Sequence, residues 1–377
     1  MKSLLCLTLT AFCLNVSTFC LAQTPSGAPP FRVAVAGLVH GHVEGFLQQA
    51  LHRSDIQLVG IAEPDRQLTV RYQNRFGLDG SILFADLGVM LRKTHPQAVL
   101  VYTNTFEHRR VVEICARYKI PVMMEKPLAV SATDAHAIER AARNAKIPVL
   151  VNYVTTWYAS NHAAYSLAHK KTIGDIRKIV AANGHRGPKE IGVPPEFLAW
   201  LTDPKLDGGG ALYDFGCYGA DLATWLMNDQ RPLTVTAVTQ HIKPEVYPHV
   251  DDEATIILTY PKAQAIIQAS WNWPYDRTDL QVFGQTGYVK TAGQNDVRMR
   301  LPGGNEQQIP ASAIPAPEND PLSYLRAVVL SGKKTTGPSS LETNIIVAEI
   351  LDAARRSAAI GRTIRLTSRS PTAIGHR

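Results

Sequence analysis

From residue 31 to residue 151, short, largely apolar runs alternate with stretches whose apolar positions recur every three or four residues. The runs 31–36, 56–62, 98–102, 121–124 and 148–151 read as strands, and the stretches 43–53, 64–76, 86–94, 106–118 and 131–146 as helices. Runs such as Val33-Ala34-Val35-Ala36 and Ala98-Val99-Leu100-Val101 are apolar at every position. A strand covered on both faces requires that, and strict alternation with helices predicts a doubly wound parallel sheet.

Beyond 152 the rhythm changes. A helix over 156–170 leads to a strand over 178–184, and Gly208-Gly209-Gly210 opens a helix running to Leu226. Strands at 232–241, 252–260, 263–270, 279–283 and 286–290 follow with no helix between them, and helices at 320–332 and 341–360 close the pattern. Apolar and polar positions alternate along 254–260 and 265–271, as in a sheet with one open face. The expected fold class is α/β: an N-terminal Rossmann domain over 31–151, then an α+β domain over 152–365 with a largely antiparallel sheet. A polar tail over 366–377 ends the chain.

The first residues read differently. Lys2 precedes an apolar run from Leu4 to Leu14, and Cys20-Leu21-Ala22 places small residues where a leader peptidase cuts, before Gln23. We expect a signal peptide over 1–22, a Pro-containing linker over 23–30 and an exported mature chain. Asn15, Ser17 and Thr18 weigh against a membrane anchor, and the bulky Phe19 against lipidation at Cys20. No later segment is apolar for long enough to span a bilayer. Three of the five cysteines lie in the leader, so Cys115 and Cys217 remain, with no disulfide framework and no CxxC spacing. With 45% hydrophobic and 19% charged residues the chain has the composition of an ordinary globular protein. The net charge of +7 is scattered rather than gathered in runs, so a nucleic-acid partner is not expected.

Candidate chemistry begins where the first strand ends, at Gly37-Leu38-Val39-His40-Gly41-His42-Val43-Glu44-Gly45. A strand, a glycine-containing turn and a helix offer backbone N–H groups to a pyrophosphate. The GxGxxG spacing is not kept: Gly37 holds its first position, Val39 its second and His42 its third. Glu63 closes the second strand, where a carboxylate accepts the ribose hydroxyls and repels a 2′-phosphate, favouring NAD; Arg66 nearby leaves NADP open. Asn104 ends the third strand on the crevice side, with His108 one turn further. His40 and His42 have metal-like spacing, but the sequence shows no third ligand, and no metal is expected.

The fourth strand ends in Glu125-Lys126-Pro127. With Gly208-Gly209-Gly210-Ala211-Leu212-Tyr213-Asp214-Phe215-Gly216-Cys217-Tyr218, with Val250-Asp251-Asp252-Glu253-Ala254, and with Phe283-Gly284-Gln285-Thr286-Gly287, it resembles the Gfo/Idh/MocA oxidoreductases over most of residues 31–365. The resemblance implies an NAD(P)-dependent enzyme that acts on a sugar or polyol hydroxyl or its ketone. It implies that Lys126 lies by the nicotinamide and the reacting oxygen, and that Asp214 orients it. Tyr218, where many members have histidine, takes the acid–base role, its pKa lowered by the Lys126 ammonium. Gly37, His40, Gly41, His42, Glu63, Asn104, Glu125 and Lys126 are the expected cofactor residues. Asn152, Trp157, His185 and Arg186 are expected to shape the pocket for a sugar or glycoside, and the C-terminal sheet to support a homo-oligomer. Two alternatives stay open: redox-neutral glycoside cleavage through a transient keto-sugar, and a non-catalytic nucleotide- or sugar-binding protein.

Overall fold

The computed structural model describes residues 29–366, so the predicted leader and nearly all of the linker and tail lie outside the described residues. The first sheet is parallel and six-stranded: β1 (Phe31–Ala36), β2 (Ile56–Ala62), β3 (Leu83–Phe84), β4 (Ala98–Val101), β5 (Val122–Glu125) and β6 (Val149–Asn152), in the order β3-β2-β1-β4-β5-β6. Helices α1 (His42–Ala50), α2 (Arg66–Phe76), α3 (Leu87–Thr94), α4 (His108–Arg117) and α5 (Ala132–Ala145) connect the strands. Asp65, Asp86 and Ser131 cap α2, α3 and α5 with side-chain oxygens that accept first-turn N–H groups.

Because neighbouring strand residues point to opposite faces, β1 sends Ala34 and Ala36 into one core and Val33 and Val35 into another. The first core gathers α3, α4 and α5, with Cys115 buried in it as a small apolar filler. The second gathers α1 and α2, which explains why the strands are apolar throughout. Strand order reverses between β1 and β4, and that switch point opens a crevice at their carboxyl ends.

The second domain adds α6 (Ala159–His169), β7 (Ile176–Gly184), α7 (Pro195–Leu201), α8 (Ala211–Asp214), α9 (Gly216–Leu226), β8 (Thr234–Gln240), β9 (Glu253–Thr259), β10 (Gln264–Ser270), β11 (Arg277–Gly284), β12 (Tyr288–Ala292), β13 (Asp296–Arg300), β14 (Gln307–Gln308), α10 (Pro321–Ser331), α11 (Leu341–Ile360) and β15 (Ile364–Arg365). Its nine-stranded sheet runs β14-β13-β12-β11-β7-β10-β9-β8-β15, antiparallel except where β7 lies parallel to β10. α9 and α11 cover one face. α7, β13 and β14 carry too few regular apolar positions to have been read from the sequence. The glycine-opened helix to Leu226 is divided into α8 and α9 at Phe215. α10 does not stay with the second sheet: Leu322, Tyr324, Leu325 and Val328 pack into the second core of the first domain, beside Phe46, Leu100 and Leu150. No helix among the described residues is long and apolar enough to cross a membrane.

Candidate active site

The glycine turn after β1 is braced from two sides. The Leu38 N–H donates to Glu63 Oε2 at 2.8 Å, and the His40 N–H to the Tyr102 carbonyl at 3.0 Å. Glu63 Oε1 accepts the Asp65 N–H at 2.9 Å, so this buried acid holds the ends of β1 and β2 together. Burial raises its pKa, and the two backbone N–H groups partly offset that. The Asn104 side chain accepts the Glu107 N–H and caps the turn after β4.

A segment of the second domain lies across this crevice. The Phe197 ring sits 4.6 Å from the His40 ring and so close to Gly41 that no side chain fits there. Trp200 Nε1 donates to the Val39 carbonyl at 3.1 Å, and the Phe106 N–H to the Leu206 carbonyl at 3.0 Å. Glu196 pairs with Arg71 on α2. Val39, at the position of the second fingerprint glycine, packs into the cluster of Phe197, Trp200 and Trp271.

At the end of β5, Glu125 is buried and held on both oxygens. Oε1 accepts Asn152 Nδ2 at 2.9 Å, and His42 Nδ1 lies 3.0 Å from Oε2. Trp157 Nε1 donates to Asn152 Oδ1 at 2.9 Å. Asn152 and Trp157 therefore brace Glu125 from behind; neither lines the main cavity, contrary to the sequence expectation. His40 is buried, and desolvation, reinforced by His42 and Lys126, holds it well below the ordinary histidine range.

The next residue, Lys126, reaches the other domain. Its ammonium donates to Asp214 Oδ1 and, at 3.2 Å, to the Asp214 carbonyl. Trp271 Nε1 fixes Asp214 Oδ2 at 2.9 Å. The glycine triplet makes this geometry possible, because a Cβ on Gly210 would lie 1.9 Å from the Asp251 carbonyl oxygen. The Lys126 ammonium sits 5.1 Å from the centre of the Tyr218 ring. Lys126, Asp214 and Tyr218 open with Gly41, His42 and His185 onto one cavity of about 450 Å³ between the domains. Asn183, Asp276, Arg277 and Thr278 line it too, facing an apolar wall that includes Ile191, Val193, Phe197 and Leu201.

Residues 31–153 match the family described as an oxidoreductase family with an NAD-binding Rossmann fold, and residues 162–290 match the GFO/IDH/MocA C-terminal domain. The chain belongs to the Gfo/Idh/MocA oxidoreductases. It is 25% identical over 315 residues to the D-apiose dehydrogenase of Rhizobium rhizogenes, covering 78% of this chain and 83% of that one. It is 29% identical over 181 residues to the trans-1,2-dihydrobenzene-1,2-diol dehydrogenase of Xenopus laevis, covering 46% and 50%. Among solved structures, the aldose-aldose oxidoreductase of Caulobacter crescentus complexed with glycerol superposes with a TM-score of 0.76 at 22% identity, over 89% of this chain and 100% of that one. An inositol dehydrogenase homolog of Azotobacter vinelandii complexed with NAD+ gives 0.77 at 18%, over 90% and 98%. Fold class and family thus stand as the sequence implied.

As a Gfo/Idh/MocA oxidoreductase the chain carries an NAD-binding fold, and its crevice offers matching groups. The N–H groups of Val39 and Gly41 donate to no protein group among the described residues and remain for a pyrophosphate. Glu63 closes β2 beside this turn and keeps lone pairs beyond its two backbone bonds. Phe197 and Trp200 rest on this turn.

The electrostatics correct one expectation. Burial pushes the Tyr218 hydroxyl up, and the opposing pull of Lys126 is the smaller effect, so Tyr218 is a phenol at neutral pH. Burial alone would drag the Lys126 ammonium down, but Asp214 outweighs it and holds Lys126 well above its usual value. Asp214 is held ionised, below the usual carboxylate range, because Lys126 and His185 outweigh its burial. His185 is lowered by burial, against the pull of Asp214. Its Nδ1 accepts the Gly187 N–H at 2.9 Å, which leaves the neutral ring's proton on Nε2. Arg186 is exposed, and its carbonyl accepts Lys243 Nζ; it does not line the cavity. The sequence reading gave no site role to Asn183, Trp271 or Phe197. Asn183 left a signal, as a polar residue at the end of an apolar strand.

Proposed function

We propose that this oxidoreductase moves a hydride between the carbon of a sugar or polyol secondary alcohol and the nicotinamide of NAD. One observation carries the reading: a buried Lys126–Asp214 pair and Tyr218 open onto a cavity in which Asn183 Oδ1 is buried without a partner. An orphaned amide oxygen calls for a hydroxyl donor, and a cavity with one polar and one apolar wall suits a ring with hydroxyls and C–H faces. The cofactor accepts or returns the hydride when bound. Lys126 lies against the reacting oxygen and stabilises its alkoxide character. Tyr218 gives its proton to that oxygen in reduction and regains one in oxidation, while Asp214 and Trp271 hold Lys126 in place. His185 Nε2–H and Asn183 hold further hydroxyls. Glu63 sets a preference for NAD over NADP.

The names of relatives point the same way: D-apiose, a dihydrodiol, inositol and an aldose pair are all polyhydroxy compounds. The segment carrying Phe197 and Trp200 favours a second form of this chemistry, in which the dinucleotide stays bound and is restored within each cycle, by a second sugar or by redox-neutral glycoside cleavage. We further propose that the chain is exported after cleavage near Ala22, and that the open face of the second sheet pairs with a second copy. The test is to incubate the protein with sugars, polyols and aryl glycosides, with NAD, with NADP, and with no added nucleotide, following NADH absorbance and product mass. NADH accumulating with a polyol supports the simple dehydrogenase, and turnover without added nucleotide the retained cofactor. No turnover with any polyhydroxy substrate under any condition refutes the proposal.

A further inference from the structure

The fold brings a third group to the His40/His42 pair. One ring nitrogen from each histidine and one Glu125 oxygen lie within 4.8 Å of one another, although Glu125 is far away in sequence. We infer that His40, His42 and Glu125 bind a divalent transition-metal ion, zinc foremost, at the edge of the active-site cavity.

The donor set is two imidazoles and one carboxylate, the chemistry of an open zinc site that keeps a position for a further ligand. Metal–ligand bonds of about 2 Å need donor atoms roughly 3–4 Å apart. His42 can supply the small closure required, because its side chain is 49% exposed, paired with Glu125 and packed beside the His40 and Phe197 rings. His40 Nδ1 receives the His42 N–H at 3.2 Å, a long contact that ligation releases. The surroundings are ordered as a ligand's support should be: Trp157 holds Asn152, Asn152 holds Glu125 Oε1, and Oε2 is left facing His42. Phe197, Trp200 and Tyr102 pack round the His40 ring.

Charge gives an independent argument. Glu125 is a carboxylate 4% exposed, and a buried carboxylate needs a cation. Its chain neighbour Lys126 is committed to Asp214. Among the described residues the half-exposed His42 is the side chain that makes an ion pair with Glu125, and Lys126 acts on it from further away. A bound ion supplies the missing charge. Gly41 and His42 line the cavity, so the site lies at its edge.

The inference goes beyond the hydride-transfer reading and is tested apart from it. Untagged, chelator-treated protein is titrated with Co²⁺, watching the visible absorption bands of a nitrogen- and oxygen-ligated ion, with stoichiometry checked by metal analysis. The wild-type protein should bind one ion per chain, and His42→Ala and Glu125→Gln should each weaken binding at least tenfold. Circular dichroism of the variants shows that they fold. No saturable signal in the wild-type protein, or a loss under tenfold in either folded variant, overturns the site. NAD titrated into the same samples reports separately on the cofactor, so the two ideas fail independently.

Discussion

Tyr218 and Lys126 both hold protons at neutral pH, and that decides which direction of the reaction is ready to run. A ketone finds its proton donor in place, whereas an alcohol must wait for a group to give up a proton. Oxidation should therefore speed up as pH rises through the alkaline range, while reduction stays nearly flat. Steady-state rates in both directions across pH check this, and an oxidation rate that falls with rising pH would contradict it. Tyr218→Phe should cost about two to four orders of magnitude in turnover with cofactor affinity nearly unchanged; wild-type turnover would remove Tyr218 from the chemistry. His108 is a residue of another kind. Its Nδ1 lies 3.1 Å from the Pro127 carbonyl and supports the loop that carries Lys126. Burial pushes its pKa down to about 4. The folded chain thus refuses a proton that the unfolded chain takes below about pH 6.5. The histidine's contribution is complete above that value and is lost as pH falls toward 4, amounting to about 2 kcal/mol between pH 7 and 5. Urea midpoints at those two pH values should show the loss, and His108→Leu should flatten it.

At the scale of elements, α7 is the part whose position matters most and whose pattern was least legible. It is seven residues long, and its aromatic residues look in sequence like any short apolar run. Only the fold shows that Phe197 and Trp200 rest on the glycine turn. The elements around the parallel sheet were legible for the opposite reason, since two-sided burial writes itself into β1, β4 and β6 as mostly apolar runs. The catalytic pair was legible through its motif, while Asn152, Trp157 and Arg186 were not, because polarity near a strand end does not say which way a side chain turns. If α7 must lift for a dinucleotide to enter, Phe197→Ala and Trp200→Phe should each speed NAD association by about tenfold, within the range over which interface changes alter on-rates. Stopped-flow fluorescence measures this, and unchanged association in both variants would show that the cofactor enters elsewhere.

At the scale of the whole molecule, α10 crosses back from the second domain to complete the core of the first, beside Phe46 and Leu150. Its sequence gives no hint of that, because an amphipathic helix does not name the surface it will cover. The crossing has a consequence for how the chain is made. The nucleotide domain leaves the ribosome first, yet the part of its second core beside Phe46, Leu100 and Leu150 stays uncovered until Leu322 to Val328 have been synthesised. At about 5–20 residues per second that is a delay of roughly ten to thirty-five seconds. During it the N-terminal half cannot bury that patch, which is open to whatever holds incompletely folded chains. Under the export proposed above, that interval is when translocation has to begin.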